Sequence, residues 1–137
     1  MAMPGGRQDP TDADQHQAAV RETSEEVGVD LLRDGRFLGR IDDQQAVAHG
    51  KRLGLTIAPF VYVLEREVTL TPEVSEVQEM HWVPLNALIG PENRTTHPFH
   101  WSGVKIRMPA WRYNDRVIWG LTFNMIDRLM RIVATAG

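Results

Sequence analysis

The spacing of apolar residues along the chain predicts one helix near each end. The first runs from about Ala13 to Val27, and Gly28 follows it as a natural terminating residue. Asp12 or Asp14 can cap its start, because each is followed three residues later by a glutamine, and the register stays open. From Val117 onward, apolar residues again recur at helical spacing and predict a closing helix.

The segment between the two helices predicts strands joined by polar loops. Leu55 to Leu64 is the strongest strand because it is rich in β-branched and aromatic residues, and Pro59 within it indicates a bulge or a sheet edge. The pattern of helix, strands and helix indicates α/β or α+β layers. The other predicted elements are the strands Arg36–Ile41, Glu79–Val83 and Val104–Met108, the helical turn Leu85–Ile89, and the loops Met1–Thr11, Asp42–Arg52 and Pro91–Gly103.

Length and composition predict one ordinary globular domain that spans residues 1–137. The chain is 42% apolar and 24% charged with a net charge of -3, so it has no basic footprint for a nucleic-acid backbone. It contains no cysteine, which excludes disulfides, thiol catalysis and cysteine zinc sites. No apolar run reaches the length of a membrane span and the N-terminus lacks a signal-peptide pattern, so we expect a cytoplasmic protein.

Three glutamates crowd one face of the first predicted helix. Glu22, Glu25 and Glu26 lie at positions i, i+3 and i+4, where like charges repel. Clustered carboxylates suit a hard cation such as Mg²⁺, which would relieve the repulsion and help an acidic protein to hold a phosphate substrate. Gly5 and Gly6 just upstream allow the backbone to approach a ligand closely. The alternative is an ordinary glutamate-rich face in contact with water.

This stretch resembles the Nudix box of the Nudix hydrolase family. The second half of that motif is Arg-Glu, an aliphatic residue, any residue, Glu-Glu, any residue, Gly and an aliphatic residue. Thr23 stands where the motif usually has the first aliphatic residue. The matching positions are Arg21, Glu22, Glu25, Glu26, Gly28 and Val29.

The first half of the motif departs from the family in one respect. The interval from Gly6 to Arg21 is one residue longer than usual, and the family's first glutamate falls at Ala13. In the family that glutamate mainly helps to hold the arginine. Asp12 and Asp14 flank the position, so the partner of Arg21 stays open.

The longer interval is similar to the coenzyme A pyrophosphatase branch of the family. The segments PFVYVL, EVQEMHWVPL and VIWGLTFNMI also resemble that branch, so the resemblance covers nearly the whole chain. It implies an α/β/α sandwich around a mixed sheet. The branch has strands upstream of Pro4-Gly5-Gly6, and we expect that this chain lacks them. A second copy of the chain could cover the exposed sheet edge, which would make a homodimer.

The resemblance implies metal-dependent hydrolysis of a nucleoside diphosphate derivative. Glu22, Glu25 and Glu26 are the expected ligands of Mg²⁺ or Mn²⁺, and a backbone carbonyl of Gly5 or Gly6 could complete the shell. Glu22 or Glu25 could act as the general base, while Arg21 orients a carboxylate and can pair with Glu25 one turn on. The expected catalytic residues are therefore Glu22, Glu25 and Arg21, the expected metal ligands are Glu22, Glu25 and Glu26, and the expected substrate-binding residues are Gly5, Gly6 and Arg112.

Several other residues could take part in binding or catalysis, or could be structural. Glu76 could be an additional ligand or base, or a glutamate in a solvated loop. Trp111, Arg112 and Tyr113 could hold an adenine and a phosphate, but we favour a loop packed on the closing helix. We expect Trp119 and Phe123 to be core residues, His81 to be a strand residue, and His97 and His100 to be loop residues.

Three functions remain open at this point. The first is a Nudix pyrophosphatase that acts on coenzyme A or its derivatives. The second is a Nudix hydrolase of another small nucleotide, such as a dinucleotide, ADP-ribose, a nucleotide sugar or a nucleoside triphosphate. The third is a catalytically silent Nudix-like binding module, against which the complete set of three glutamates argues. In each case the partner is a small-molecule nucleotide rather than a nucleic acid or a membrane.

Overall fold

A computed structural model describes residues 1–48 and 51–137 of the chain. These residues form two compact units: the α1 unit, Met3–Arg40 with Ala58–Trp82, and the α3 unit, which contains Met1–Ala2, Ile41–Ile57 and Val83–Gly137. Within the described part of the chain, no helix is both long and apolar enough to cross a membrane. In chain order the elements are α1 (Gln15–Val27), α2 (Leu31–Asp34), β1 (Gly35–Arg40), β2 (Gln44–Ala48), β3 (Lys51–Ile57), β4 (Phe60–Leu64), β5 (Arg94–Trp101), β6 (Val104–Tyr113), β7 (Arg116–Trp119) and α3 (Gly120–Ala136), with short 3-10 turns at Leu85–Leu88 and Pro91–Asn93.

Local capping explains why α1 begins and ends where it does. The carboxylate of Asp14 accepts a hydrogen bond from the Gln17 backbone N–H at 2.8 Å, so Asp14 and not Asp12 is the cap. At the other end Gly28 takes φ 73° and donates its N–H to the Ser24 carbonyl at 3.0 Å. The predicted helix Ala13–Val27 is thus confirmed within two residues at its start.

The α1 unit places this helix beside a two-stranded antiparallel sheet. β1 pairs with β4, with a register shift between Phe37 and Gly39. The short helix α2, which the sequence did not predict, precedes β1 and is capped by Asp30 through the Leu32 and Arg33 N–H groups at 3.1 Å each. The predicted strand Arg36–Ile41 and the predicted loop Met1–Thr11 are both confirmed, apart from terminal residues.

The α3 unit contains the largest buried side chains of the described residues. β5, β6 and β7 form an antiparallel sheet in that order, and β2 pairs with β3 in a separate two-stranded antiparallel sheet. Trp111 on β6, Ile118 on β7 and Ile126 on α3 form the core together with Leu88. Phe123 packs against this core, and its ring centroid lies 4.1 Å from that of Trp111. The expectation that Phe123 is a core residue is confirmed.

Two predicted loops are wrong because they form strands. The segment Asp42–Arg52 contains β2 and the start of β3, in which Gln44 and Ala46 are buried at alternate positions. Gly50, which favoured a loop there, lies outside the described residues. The segment Pro91–Gly103 contains a 3-10 turn and β5. Pro98 is compatible with β5 because this strand is at the edge of its sheet.

Two predicted element boundaries and one predicted strand are also wrong. The strand Leu55–Leu64 is interrupted at Ala58 and Pro59, so its halves belong to β3 and β4. Residues 79–83 form no strand, since no described strand pairs with them. Residues 117–119 belong to β7 rather than to the closing helix, because the turn at Asn114 (φ 53°) folds them back onto β6. The strand Val104–Met108 and the turn Leu85–Ile89 are confirmed, the strand being longer than predicted.

The combination of helices and sheets confirms the predicted α/β class. The mixed sheet that the resemblance implies would also contain parallel pairs. Every strand pairing among the described residues is antiparallel. The expectation of one domain over residues 1–137 stays a prediction.

Candidate active site

Arg21 is held by a carboxylate that the sequence left unassigned. Its Nε donates to Asp12 Oδ1 at 3.1 Å and its Nη2 donates to Asp12 Oδ2 at 3.0 Å. The Asp12 side chain is only 4% exposed and also accepts the Asp9 backbone N–H at 2.8 Å. The hydrogen bond from Arg21 holds the pKa of Asp12 below its usual value, and the same contact raises the pKa of Arg21. Arg21 is therefore charged and fixed.

The same guanidinium also reduces the electrostatic repulsion between two of the glutamates. Arg21 Nη1 donates to Glu25 Oε2 at 2.9 Å and lies 3.3 Å from Glu22 Oε1. The predicted pair of Arg21 with Glu25 is thus confirmed as a contact. Nη2 also donates to the Arg7 carbonyl at 3.1 Å, which ties the upstream loop to the helix. The Arg21 guanidinium thus neutralises part of the charge of two carboxylates.

Glu26 lacks such a cation. Among residues 1–48 and 51–137, no arginine or lysine makes an ion pair with it, and its Oε2 accepts the Gly5 backbone N–H at 3.3 Å. Burial raises the pKa of Glu26, and the negative charges of Glu22, Glu76 and Glu25 raise it further. Glu26 is therefore a partly buried carboxylate in a negative environment.

The two upstream glycines lie against the acidic face of α1. A Cβ on Gly6 would lie 2.1 Å from Glu22 Oε1, so only glycine fits while Glu22 keeps this position. Gly5 contacts Glu26 through the backbone hydrogen bond already described. The loop from Gly5 to Asp12 therefore covers the helix face that carries the glutamates, and it is anchored there by Arg21.

The carboxylates of Glu22, Glu25 and Glu26 are chemically suited to a hard divalent cation. Their oxygens do not converge on a single position where such an ion could bind. Within the described ranges, no group of three acidic or histidine side chains is close enough together to hold a metal ion. The reason is visible in the contacts, since Arg21 engages Glu22 and Glu25 whereas Glu26 faces Gly5. All three glutamates offer only carboxylate oxygens, which Mg²⁺ and similar ions prefer.

The family model of the NUDIX domain matches residues 1–103. The chain belongs to the Nudix family. This confirms the resemblance read from the Arg21–Val29 segment, and Nudix hydrolases generally use divalent metals and act on small-molecule nucleotides.

Individual Nudix relatives are similar over most of this chain. Nudix hydrolase 22, chloroplastic, of Arabidopsis thaliana is 30% identical over 97% of this chain and 44% of its own length. Peroxisomal coenzyme A diphosphatase ndx-8 of Caenorhabditis elegans is 32% identical over 70% of this chain and 39% of its own length. Mitochondrial coenzyme A diphosphatase NUDT8 of Homo sapiens is 27% identical over 98% of this chain and 56% of its own length. The chain thus spans about half the length of these relatives.

Glu76 lies in a loop held at the C-terminal end of the Nudix helix α1. The Thr71 N–H donates to the Val27 carbonyl and the Glu73 N–H to the Glu26 carbonyl, each at 2.9 Å. Glu76 is exposed, and its charge acts on Glu26. The structure therefore brings Glu76 into the electrostatic environment of the glutamates, while its role as ligand or base stays a prediction.

The aromatic residues around Arg112 are placed differently from the sequence reading. Trp111 is a core residue in β6, so it packs on the closing helix as expected but from a strand and not from a loop. Arg112 is exposed in the α3 unit, and its role in binding substrate stays a prediction. Trp119 is half-buried at the end of β7 and is not part of the core, so the expectation that it is a core residue is wrong; it stacks on His97, with 4.1 Å between ring centroids.

The predicted positions of three histidines need correction. His97 and His100 lie in β5 rather than in a loop. His81 is exposed outside any strand, and its Nε2 lies 3.1 Å from Glu79 Oε2. Sequence reasoning did not find His16 in α1, which contacts three aromatic rings, more than any other histidine among the described residues. Its helical position seven residues before the buried Thr23 is the signal that places it on the packed face of the helix.

Proposed function

We propose that this Nudix domain hydrolyses a pyrophosphate bond in a nucleoside diphosphate derivative with the help of Mg²⁺ or Mn²⁺. The observation that carries the proposal is the acidic face of α1, where Arg21 is fixed by Asp12 and Glu26 is left in a negative environment. A bound divalent cation would neutralise phosphate charge and lower the pKa of a coordinated water. The family to which the chain belongs supports the same chemistry.

Each residue of the acidic face has a proposed role. Glu22, Glu25 and Glu26 would hold the cation, with a carbonyl of Gly5 or Gly6 as a further oxygen donor. Arg21 positions Glu22 and Glu25, which it contacts, rather than the substrate. Glu22 or Glu25 would take a proton from the attacking water, and Glu76 is the candidate base outside the helix.

Coenzyme A or a derivative of it is the first candidate substrate. Two of the relatives named above are coenzyme A diphosphatases, and the segments upstream and downstream of the acidic face resemble that branch. Another nucleoside diphosphate, such as a dinucleotide, ADP-ribose or a nucleotide sugar, is the alternative within the same reaction class. The cytoplasmic location and the homodimer expected from the sequence stay predictions.

A catalytically silent binding module is the candidate from a different functional class. The separation of the three glutamates, with Arg21 contacting two of them, is the observation that favours it. Such a module would bind the nucleotide without turnover. Its affinity would not depend on the charge of Glu25.

A substrate panel separates these functions. Purified protein is incubated with coenzyme A, diadenosine polyphosphates, ADP-ribose and nucleotide sugars, each with Mg²⁺ or Mn²⁺, and the products are identified by chromatography. We expect metal-dependent hydrolysis that Glu25→Gln lowers by a factor of about 10² or more. Glu92→Gln in the 3-10 turn Pro91–Asn93 is the matched control and should retain activity. Binding without hydrolysis, unchanged in Glu25→Gln, would support the silent module and contradict the proposed reaction.

A further inference from the structure

A second feature of the α1 unit lies at the opposite end of helix α1 from Glu26. A cavity of about 370 Å³ opens beside the first turn of α1. This volume is within the range of small-molecule sites, which run from roughly 300 to 1,000 Å³. The cavity is lined by Gln8, Ala13, Asp14, Gln15, His16, Arg40 and Phe60.

One part of this lining is aromatic. The His16 and Phe60 rings are stacked, with 4.8 Å between centroids and 30° between planes. The Arg40 guanidinium carbon lies 5.7 Å from the Phe60 centroid, within the distance of a cation–π contact. His16 is held by a hydrogen bond between its Nε2 and the Tyr62 hydroxyl. Aromatic rings with a guanidinium over the face of one of them are suited to a planar heterocycle.

The rest of the lining offers hydrogen-bonding groups. Asp14 is exposed, and a carboxylate has room for further donors besides the Gln17 N–H that it already accepts. The side-chain amides of Gln8 and Gln15 can both donate and accept. Polar groups of both kinds beside stacked rings match the edges and faces of a nucleobase.

The loop that covers the glutamates also connects them to this cavity. Gly5 contacts Glu26, and Gln8 three residues later lines the cavity and donates to the Asp12 carbonyl at 3.2 Å. Three residues of chain reach at most about 11 Å. The ribose and diphosphate of a nucleotide can bridge a separation of this size.

We infer that the cavity lined by His16, Phe60, Arg40 and Gln8 binds the heterocyclic base of the nucleotide substrate. This inference rests on the proposed function for the identity of the ligand as a nucleotide. It specifies where on the α1 unit the base of the substrate binds and which residues set the preference for one base over another. Phe60 and Arg40 are specificity-determining residues in this assignment, whereas the glutamates act on the diphosphate.

The test measures binding of adenosine 5′-monophosphate without any divalent cation, so it is independent of hydrolysis. Ribose 5-phosphate, which lacks the base, is titrated in parallel by calorimetry. We expect the nucleotide to bind more tightly than the sugar phosphate. Phe60→Leu and Arg40→Gln should each weaken nucleotide binding by roughly fivefold or more, since a lost stacking contact corresponds to a factor of about 5 to 150, and leave sugar phosphate binding unchanged.

Two control variants come from the same sheet. Phe37 contacts both His16 and Phe60 but does not line the cavity, so Phe37→Leu tests the effect of loosening the cluster alone. Arg36 lies on β1 like Arg40 and is paired with Glu65 at 2.8 Å, so Arg36→Gln tests the loss of one charge. Both controls should bind the nucleotide like the wild type.

Three results would overturn the inference. They are equal binding of the nucleotide and the sugar phosphate, equal effects of Phe60→Leu and Phe37→Leu, and no binding of the nucleotide. If the substrate panel fails while the base-dependent binding persists, the proposed hydrolysis is wrong and the base site stands. If hydrolysis occurs but Phe60→Leu leaves KM for every nucleotide unchanged, the base site is wrong and the hydrolysis stands.

Discussion

Arg21 donates two hydrogen bonds to the carboxylate of Asp12, a residue nine positions earlier in the chain, with Nε to Oδ1 at 3.1 Å and Nη2 to Oδ2 at 3.0 Å. The Nudix motif would place a glutamate at position 13, where this chain has Ala13. The neighbouring shorter acid makes the contact instead. A carboxylate that fixes the arginine is therefore retained although the position and the residue type both differ.

We expect Asp12→Asn to lower hydrolytic activity by a factor of roughly 10 to 100, the usual effect of losing a residue that orients a metal ligand. Asparagine keeps the shape of the side chain but loses its charge, so Arg21 becomes free to leave Glu25. The measurement is kcat and KM for the best substrate of the panel, together with the melting temperature. We expect the loss to appear mainly in kcat, because Arg21 does not contact substrate in the proposed site.

Asp9→Asn is the control for this variant. Asp9 lies 3.6 Å from the same guanidinium but is 59% exposed, so its charge is screened by water. It should retain nearly wild-type activity. If Asp9→Asn and Asp12→Asn have the same effect, the buried contact has no special role.

The sequence predicts features that depend on neighbouring residues. Gly28 ends α1 because a left-handed glycine acts within a few residues of chain, and for the same reason the sequence limits the cap at the other end to Asp12 or Asp14. The i, i+4 contact of Arg21 with Glu25 is predictable for the same reason. The acidic face therefore follows from the sequence, although the convergence of its side chains on one ion does not.

Features that depend on distant residues are the ones that the sequence does not predict. The segment Pro91–Gly103 becomes β5 only because β6 pairs with it, and polar residues on its exposed side conceal the half-buried His97 and Phe99. From the sequence, Asp12 and Asp14 are equally good candidates for the helix cap. The structure distinguishes them because Arg21 binds Asp12. The contact of His16 with Phe60 joins residues 44 positions apart, and no local pattern predicts it.

Asp34 should make the stability of the fold depend on acid pH. Its carboxylate is 5% exposed and accepts hydrogen bonds from Arg33 Nε at 2.8 Å and Nη2 at 2.6 Å. This hydrogen bonding by Arg33 lowers the pKa of Asp34 from its ordinary 3.8. A lowered folded-state pKa gives stability that is complete above the unfolded-state pKa and is lost as the pH falls through the folded-state value.

We therefore expect the melting temperature of Asp34→Asn to lie below that of the wild type by a constant amount above about pH 5. The difference should shrink below pH 3.8 and vanish at more acid pH, where the wild-type carboxyl is also neutral. Thermal melts of both proteins across this range provide the measurement. Asp115→Asn, which removes an 82% exposed carboxylate, should give no such gap. A gap for Asp34→Asn that does not change with pH would disprove the linkage.

Gly6→Ala should impair cation binding without unfolding the protein. The new Cβ would lie 2.1 Å from Glu22 Oε1, which is the far end of a flexible side chain and can rotate away. We expect a nearly unchanged melting temperature and an affinity for Mn²⁺ lowered by a factor of roughly 10, since one proposed ligand is displaced. Titration of Mn²⁺ followed by electron paramagnetic resonance measures the free ion directly.

Gly90→Ala is the matched control for that variant. A Cβ on Gly90 would lie 1.9 Å from Glu92 Oε1, so it displaces a glutamate carboxylate in the same way but in the α3 unit. It should leave Mn²⁺ affinity at the wild-type value. If Gly6→Ala also binds Mn²⁺ normally, Glu22 in its present position is not a ligand.

Gly28→Ala should destabilise the fold by roughly 1–2 kcal/mol or more, because it forces an L-residue into the left-handed region at the end of α1. Gly28 has φ 73°, and a Cβ there would lie 3.0 Å from Thr71 Cβ, a contact tighter than side chains normally make.

Gly103→Ala separates backbone strain from the contact with Thr71. Gly103 has φ 83° at the tip of the β5–β6 hairpin, and a Cβ there would meet no atom within 4 Å. We expect urea unfolding to give a larger loss for Gly28→Ala than for Gly103→Ala, and a smaller loss for Gly28→Asn, since asparagine tolerates the left-handed region. Equal losses at Gly28 and Gly103 would mean that Thr71 yields freely and that strain in the backbone accounts for the whole effect.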